Sequence, residues 1–156
     1  MGSCEYKLAS DCKSDVTMFE VKAENRIKPD TLVATVMSVT VIVGSMVVVL
    51  QESGAVTVND VSVTLPMFVP GVLKIRAAGT FTIVEAEIEI MVQYDHQSYV
   101  SIRVSENYFE NMCGLCGNFN NQPQDDFTGA FGTVVRMFTC FHNRSGALYG
   151  CKIWIV

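Results

Sequence analysis

The amino-acid sequence predicts an all-β protein, mainly an antiparallel β-sandwich, and three observations lead to this expectation. Short runs of apolar β-formers recur at intervals of about 8–12 residues, a spacing that is typical of sandwiches and barrels; we count about nine strands in these runs. Helical periodicity is hardly visible, so no segment is available for the crossovers that parallel strands need. The chain of 156 residues is 49% hydrophobic, enough for one domain with a genuine core.

The longest apolar stretch runs from Leu32 to Leu50, carries no charge and is just long enough to cross a bilayer as a helix. Its richness in β-branched residues, its alternation and its interruption at Gly44-Ser45 favour two buried strands, Val36 to Val43 and Met46 to Gln51, over a membrane helix. No membrane span is therefore expected.

Further strands follow from alternating patterns. A first strand is expected around Phe19, and a second hairpin around the turn Asn59-Asp60, with Pro66 ending its pairing. The pattern then slips by one residue after Phe81 and Ile83, which predicts a bulge or turn near Glu85. The last clear strands begin at the following residues: Leu73, Phe81, Ala86 and Val100.

Charge and cysteine content narrow the class of function. The formal net charge of -5, without a basic cluster, excludes the electrostatic footprint of a nucleic-acid-binding protein. Six cysteines and the sequon at Asn143, a candidate glycosylation site, indicate an oxidising, secretory environment. The chain does not open with a signal peptide, so the secreted interpretation treats it as part of a longer protein.

The segment "CGLCGNFNNQPQDDF", Cys113 to Phe127, carries the chemistry, and three interpretations compete. A redox centre would use Cys113 and Cys116, but no helix follows them as such centres usually require. A zinc site would use Cys113, Cys116, Cys140 and His142, but the spacing of the second pair is too tight for a zinc knuckle.

The third interpretation is a calcium-binding loop. Asn118, Asn120, Asp125 and Asp126 supply hard oxygen donors on a short loop that contains glycine, which suits a cation that takes six to eight oxygens. The same composition is also typical of an ordinary solvated turn, and composition alone does not separate the two.

The same segment resembles the signature loop of the von Willebrand factor type D domain. The segments "CEYKLASDC", "FEVKAENR", "SVTVIVGSMVVVL", "VTVNDVSVTLP" and "VQYDHQSYVSIRV" follow in the order and spacing of that family, and the character is closest to the D domains of IgG Fc-binding protein and zonadhesin. The resemblance runs from Cys4 to Gly132. It implies a type D β domain over 1–132, without the family's first strand, followed by a divergent cysteine-containing tail over 133–156.

The resemblance implies a non-enzymatic, extracellular module of a larger adhesive glycoprotein of mucus or matrix. Its expected partners are other extracellular glycoproteins or sister D domains, and its expected cofactor is Ca²⁺. One family aspartate is not matched in this chain, so the resemblance implies an incomplete calcium site. The alternative function is thiol-disulfide exchange through Cys113 and Cys116.

The resemblance also implies a disulfide pattern. Cys12 is expected to pair with Cys113, and Cys4 with Cys140 or Cys151. Cys116 is left as an unpaired or intermolecular cysteine, which makes a disulfide-linked homo-oligomer an expected assembly. No nucleophile, base and orienting group occur together, so His96 and His142 are interpreted as surface or structural residues.

Overall fold

The structure is a computed structural model that describes residues 4–13, 15–27, 34–120, 138–142 and 148–154, with side chains described within 5–13, 15–26 and 35–120. Strands dominate the described residues, which confirms the predicted all-β class. They are β1 (Cys4–Asp11), β2 (Phe19–Ile27), β3 (Ala34–Val43), β4 (Met46–Gln51), β5 (Val56–Val58), β6 (Val61–Ser62), β7 (Met67–Val69), β8 (Leu73–Ala78), β9 (Phe81–Ala86), β10 (Ile90–Tyr94), β11 (Tyr99–Ser105), β12 (Met112–Cys113), β13 (Phe138–His142) and β14 (Leu148–Trp154).

The strands form two seven-stranded antiparallel sheets. Sheet A has the order β12-β1-β2-β3-β4-β5-β6, and sheet B has the order β13-β14-β11-β10-β9-β8-β7. The predicted count of about nine strands is too low: β7 and β12 are too short to show alternation, and the longer strands β1, β13 and β14 were not recognised. The inner faces of the sheets enclose one core, whose largest fully buried side chains are Tyr94, Phe19, Leu8, Leu50, Ile75 and Ile102.

The long apolar stretch forms the hairpin that its pattern predicts. β3 and β4 pair from Ser38 opposite Gln51 to Val43 opposite Met46, with the turn at Gly44 and Ser45. Gly44 has a φ of +56°, a conformation that glycine adopts at little cost. Among the described residues, no helix is long and apolar enough to cross a membrane.

The second predicted hairpin is also present. Asn59 and Asp60 both have positive φ angles, 47° and 64°, which match the right-handed twist of the flanking strands. The Asn59 side chain accepts a hydrogen bond from the Val47 amide over 2.8 Å and ties the turn to β4. After this hairpin the chain crosses from sheet A to sheet B at β7.

The turn predicted near Glu85 is present over 87–89, but β9 itself contains no bulge and no change of phase. β9 keeps a single alternation, in which Val84 lies opposite the buried Ile75 and Val92, whereas Glu85 lies on the outer face. Ile83 is buried although it shares that outer face, and this misled the sequence pattern. The reversal comes later, in a tight turn over 87–89 that brings Ala86 opposite Ile90.

The C-terminal strands extend sheet B. β14 pairs with β11 along its whole length, from Tyr99 opposite Trp154 to Ser105 opposite Leu148, and β13 pairs with β14. The boundary expected at Gly132 and the sequon at Asn143 lie outside the described residues.

Candidate functional site

The candidate site lies where the chain returns from sheet B to the edge of sheet A. β11 ends at Ser105, whose hydroxyl accepts a hydrogen bond from the Asn107 amide and starts a short 3₁₀ helix, Glu106–Tyr108. β12 then pairs with the end of β1, with Cys113 opposite Ser10. The Cys113 loop, defined here as residues 113–120, therefore begins on the outermost strand of sheet A.

A disulfide bond joins Cys12 to Cys113, as the family resemblance implies. The two Cα atoms are 5.9 Å apart, within the usual range for a disulfide, and the cysteines are 101 residues apart in the sequence. In the chain-entropy model, closing a loop of this length stabilises the fold by about 4.7 kcal/mol, an upper figure that denatured-state structure reduces. The bond fixes the start of the loop to β1.

Gly114 lets the loop lie directly against β1. Its φ is +111°, and a Cβ atom at this position would lie 2.7 Å from the carbonyl oxygen of Leu8. The next two residues then donate backbone hydrogen bonds to this strand, Leu115 to the Lys7 carbonyl over 3.0 Å and Cys116 to the Leu8 carbonyl over 2.8 Å. The glycine of the Cys-Gly-Leu-Cys segment therefore serves close backbone packing.

Cys116 is 1% exposed and is itself disulfide-bonded. The prediction that it is unpaired is therefore wrong, and a homo-oligomer linked through Cys116 loses its basis. The Cys12 bond also contradicts a Cys113 to Cys116 redox pair and a zinc site that includes Cys113. Both alternatives required Cys113 to act together with Cys116, whereas the sheet places Cys12 beside Cys113.

The remaining cysteine predictions concern side chains outside the described residues. Cys4 begins β1, and its expected pairing with Cys140 or Cys151 stays a prediction. The backbone places Cys140 directly opposite Cys151 in the β13 and β14 pair.

The two asparagines of the predicted calcium set occupy one tight turn. The Asn118 side-chain oxygen accepts a hydrogen bond from the Asn120 amide over 3.1 Å. Between them, Phe119 has a φ of 57°, and its carbonyl accepts from the Glu110 amide over 3.2 Å. The Phe119 ring packs edge-on against Phe109, with ring centroids 5.4 Å apart. This part of the loop is therefore anchored at both backbone and side chain.

Asp125 and Asp126, the two acidic members of the predicted set, lie outside the described residues. Among the described residues, no three histidine, cysteine, aspartate or glutamate side chains come together in a way that suits a metal ion. Calcium is also bound by asparagine side chains and backbone carbonyls, so a site that uses Asn118 and Asn120 stays a proposal.

Asp11, which the sequence analysis did not single out, lies beside this loop. It is 3% exposed, and its Oδ1 atom has no hydrogen-bond partner. Burial and, to a smaller extent, the charges of Asp11 and Glu89 raise the pKa of Tyr108. The Asn111 amide donates to the Tyr108 carbonyl over 3.0 Å and the Asn111 carbonyl accepts from the Cys12 amide over 2.9 Å, so Tyr108 lies close to the end of β1. No pattern in the sequence indicated this residue, because β1 (CEYKLASD) shows no clear alternation.

His96 acts as a structural residue within the sandwich. Its Nδ1 atom lies 2.8 Å from the Gln51 carbonyl oxygen, and its Nε2 atom lies 2.8 Å from the Thr82 hydroxyl. Because a carbonyl only accepts, Nδ1 carries the proton. The ring also packs on Tyr94, with centroids 4.9 Å apart. The Nδ1 contact thus joins the His96 turn to β4 of sheet A, whereas the Nε2 contact ties the same turn to β9 within sheet B, in keeping with the structural role that was predicted.

The fold and the pinned loop define a class of protein: a two-sheet antiparallel sandwich whose signature loop is stapled by a disulfide to the edge strand of one sheet. The family model of the von Willebrand factor type D domain matches residues 1–133. The chain belongs to this family, as the sequence motifs predicted.

Individual relatives agree with the family match. The chain is 37% identical over 131 residues to alpha-tectorin of Homo sapiens, 36% identical over 131 residues to the IgGFc-binding protein of Homo sapiens, and 35% identical over 130 residues to zonadhesin of Mus musculus. Each match covers 81% of this chain but only 6%, 2% and 2% of the respective relative. The chain therefore spans a small part of the length of these proteins.

Proposed function

We propose that the chain is a non-enzymatic, extracellular interaction module of a larger adhesive glycoprotein. The observation that carries this proposal is the Cys12–Cys113 disulfide, which closes a loop of about a hundred residues around the sandwich. A bond of this kind persists in oxidising compartments and is rare in the cytosol. Membership of a family with relatives such as zonadhesin supports the same setting.

A structural role is favoured over turnover by the way the reactive side chains are used. Cys113 and Cys116 are disulfide-bonded, and His96 has both ring nitrogens within hydrogen-bonding distance of structural groups. The Thr82 hydroxyl lies 2.8 Å from His96 Nε2, but Thr82 is only 3% exposed, so this hydroxyl is not placed to attack a substrate. The partners we propose are other extracellular glycoproteins or sister D domains; the Fc binding in the name of one relative belongs to that relative.

Calcium is the cofactor we propose for the Cys113 loop. Asn118, Asn120, Asp125 and Asp126 would supply its oxygens, and these are the donors that calcium prefers. The described part of the loop favours such a role, because the disulfide and the Glu110 contact hold the Asn118 to Asn120 turn in one conformation. A donor set that is already ordered binds with a smaller entropic cost.

Secretion tests the structural proposal. The chain would be fused to a cleavable signal peptide and expressed in secreting cells, beside Cys12→Ser and Cys113→Ser variants. We expect the wild-type chain in the medium and both variants retained in the cell, because removing a native disulfide from a secreted domain typically costs about 2–5 kcal/mol. Efficient secretion of both variants at wild-type levels would contradict the proposal.

Reduction of insulin by the secreted chain tests the enzymatic alternative. The proposal predicts no reductase activity above the background of a Cys113→Ser sample refolded in parallel. Activity that the wild-type chain shows and the Cys113→Ser sample lacks would instead assign thiol-disulfide exchange to the chain.

A further inference from the structure

Asp11 is a buried carboxylate whose side-chain contacts do not explain its presence in the fold. It ends β1, is 3% exposed, and its Oδ1 atom is buried and accepts no hydrogen bond. Leaving a buried charged oxygen unpaired is costly, and native proteins normally satisfy such an atom with a donor, a water molecule or an ion. At a buried position, an apolar residue of similar volume often stabilises a fold as well as an ionic one or better. An aspartate at this position therefore indicates a role other than stability.

The backbone places Asp11 at the base of the Cys113 loop. Residues 110–112 make contacts at both of their ends: Met112 lies opposite Asp11 in the sheet, and the Glu110 amide donates to the Phe119 carbonyl. Between them, the Asn111 carbonyl accepts from the Cys12 amide over 2.9 Å. Three residues span at most about 11 Å of chain. The end of β1 and the Asn118 to Asn120 turn therefore flank the same short segment.

We propose that Asp11 supplies a carboxylate ligand to the divalent cation held by the Cys113 loop. The inference rests on the calcium-binding part of the proposed function and extends it to a residue outside the loop. A calcium ion beside Asp11 provides the positive partner that the orphaned oxygen lacks, and carboxylate oxygens are preferred calcium ligands. The disulfide next to Asp11 keeps this residue in register with the loop.

Calcium titration of three chains tests the proposal: the wild type, Asp11→Asn, and the matched control Asp60→Asn. Asp60 receives the same change in an exposed turn whose positive φ asparagine tolerates. Affinity is measured by isothermal titration calorimetry, and thermal unfolding is followed in millimolar calcium and in EDTA. We expect Asp11→Asn to weaken calcium binding about tenfold or more, while the control binds like the wild type.

The stability in EDTA separates a ligand from a structural hydrogen-bond acceptor. Without calcium, Asp11→Asn removes the charge of a buried carboxylate whose Oδ1 accepts no hydrogen bond, so its melting temperature is expected to equal or exceed that of the wild type. With calcium, the order reverses, because only the wild type gains the full binding contribution. A variant that melts lower than the wild type by the same amount in both solutions would overturn the ligand role.

Two other outcomes are distinguishable. If the wild type binds calcium and Asp11→Asn binds it equally well, the Asp11 inference is overturned and the calcium loop stands. If the wild type does not bind calcium, the calcium part of the proposed function fails, and the Asp11 inference fails with it.

Terbium luminescence locates the ion without altering Asp11. A terbium ion bound at Asp11 would lie near Tyr108, whose ring transfers excitation energy to it. Sensitised emission should therefore fall in Tyr108→Phe. In the wild type, the emission should disappear when calcium displaces the terbium. Emission that is unchanged in Tyr108→Phe would place the ion elsewhere and overturn the inference, even if Asp11→Asn failed to fold.

Discussion

The phenolic oxygen of Tyr94 lies 2.7 Å from the carbonyl oxygen of Val36, 58 residues earlier in the chain. Tyr94 is on β10 of sheet B and Val36 is on β3 of sheet A, so the bond joins the two sheets inside the core. The pairing of β2 with β3 is irregular beside Val36, because the register shifts between Glu24 and Asn25. Burial is the main cause that raises the pKa of Tyr94, so the hydroxyl stays a donor at any physiological pH.

Tyr94→Phe removes this bond and leaves the Val36 carbonyl without its side-chain donor. We expect the free energy of unfolding to fall by about 1–3 kcal/mol, the usual cost of an unsatisfied buried polar group. Chemical denaturation measures the change. Tyr99→Phe is the control, since Tyr99 lies on the outer face and is only partly buried. A Tyr94→Phe chain as stable as the wild type would show that the bond contributes nothing to stability.

Gly114→Ala is expected to disrupt the site itself. The new Cβ atom would overlap the Leu8 carbonyl, and the positive φ adds strain of about 1–3 kcal/mol. Gly54→Ala is a matched control, because Gly54 also has a positive φ of 85° but has no atom within 4 Å of the added Cβ. Thermal unfolding should show a larger loss for Gly114→Ala. Equal losses for the two variants would mean that backbone strain alone, not packing against β1, explains the need for glycine.

His96 and Thr82 are expected to act as a coupled pair. Either His96→Ala or Thr82→Val removes their 2.8 Å contact, and His96→Ala also frees the Gln51 carbonyl. His96→Ala should therefore cost more than Thr82→Val, and the double variant should lose less than the two single losses combined, with a coupling of about 0.5–3 kcal/mol. A double-mutant cycle by urea denaturation measures it. Strict additivity would indicate that the two side chains do not interact.

Glu20 is expected to make folding stability depend on acid pH. Its carboxylate contacts Lys7 at 2.8 Å and Lys22 at 3.1 Å, and the hydrogen bond from Lys7, with a smaller contribution from Lys22, lowers its pKa below the ordinary value of 4.5. A lowered folded-state pKa stabilises the fold above 4.5, and this stabilisation is lost as the pH falls through the folded value.

Glu20→Gln should therefore unfold more easily than the wild type at pH 7, by less than about 1 kcal/mol for a pair this close to the surface. The difference should shrink as the pH falls below 4.5, and at pH 7 it should also shrink in 1 M salt. Urea denaturation at each pH gives the comparison. A difference that stayed constant down to strongly acidic pH would contradict the ion-pair explanation.

The sequence was most informative where side-chain alternation is strong. The hairpin of β3 and β4 was predicted within two residues at its start, because Val39 and Val41 alternate with Ser38 and Thr40. β1 was not predicted, since Leu8, Ala9, Ser10 and Asp11 are all buried in a row beside a register shift. Alternation fails as a signal where a strand is buried on both sides.

The site was predictable only in part for a related reason. The family motif located the Cys113 loop and its bond to Cys12, which lie far apart in the sequence. Asp11 carries no motif of its own, and its importance depends on the fold, which buries Oδ1 beside the loop. The bonded state of Cys116 likewise depends on which cysteine the sheets bring near it.

Disulfide mapping of the secreted chain tests the central claim most directly. The chain is digested without reduction, after alkylation of free thiols, and linked peptides are identified by mass spectrometry. The structure predicts a peptide pair that joins Cys12 to Cys113, and no alkylated Cys116. A peptide in which Cys113 is bonded to Cys116 would contradict the pinned-loop account and restore the redox interpretation.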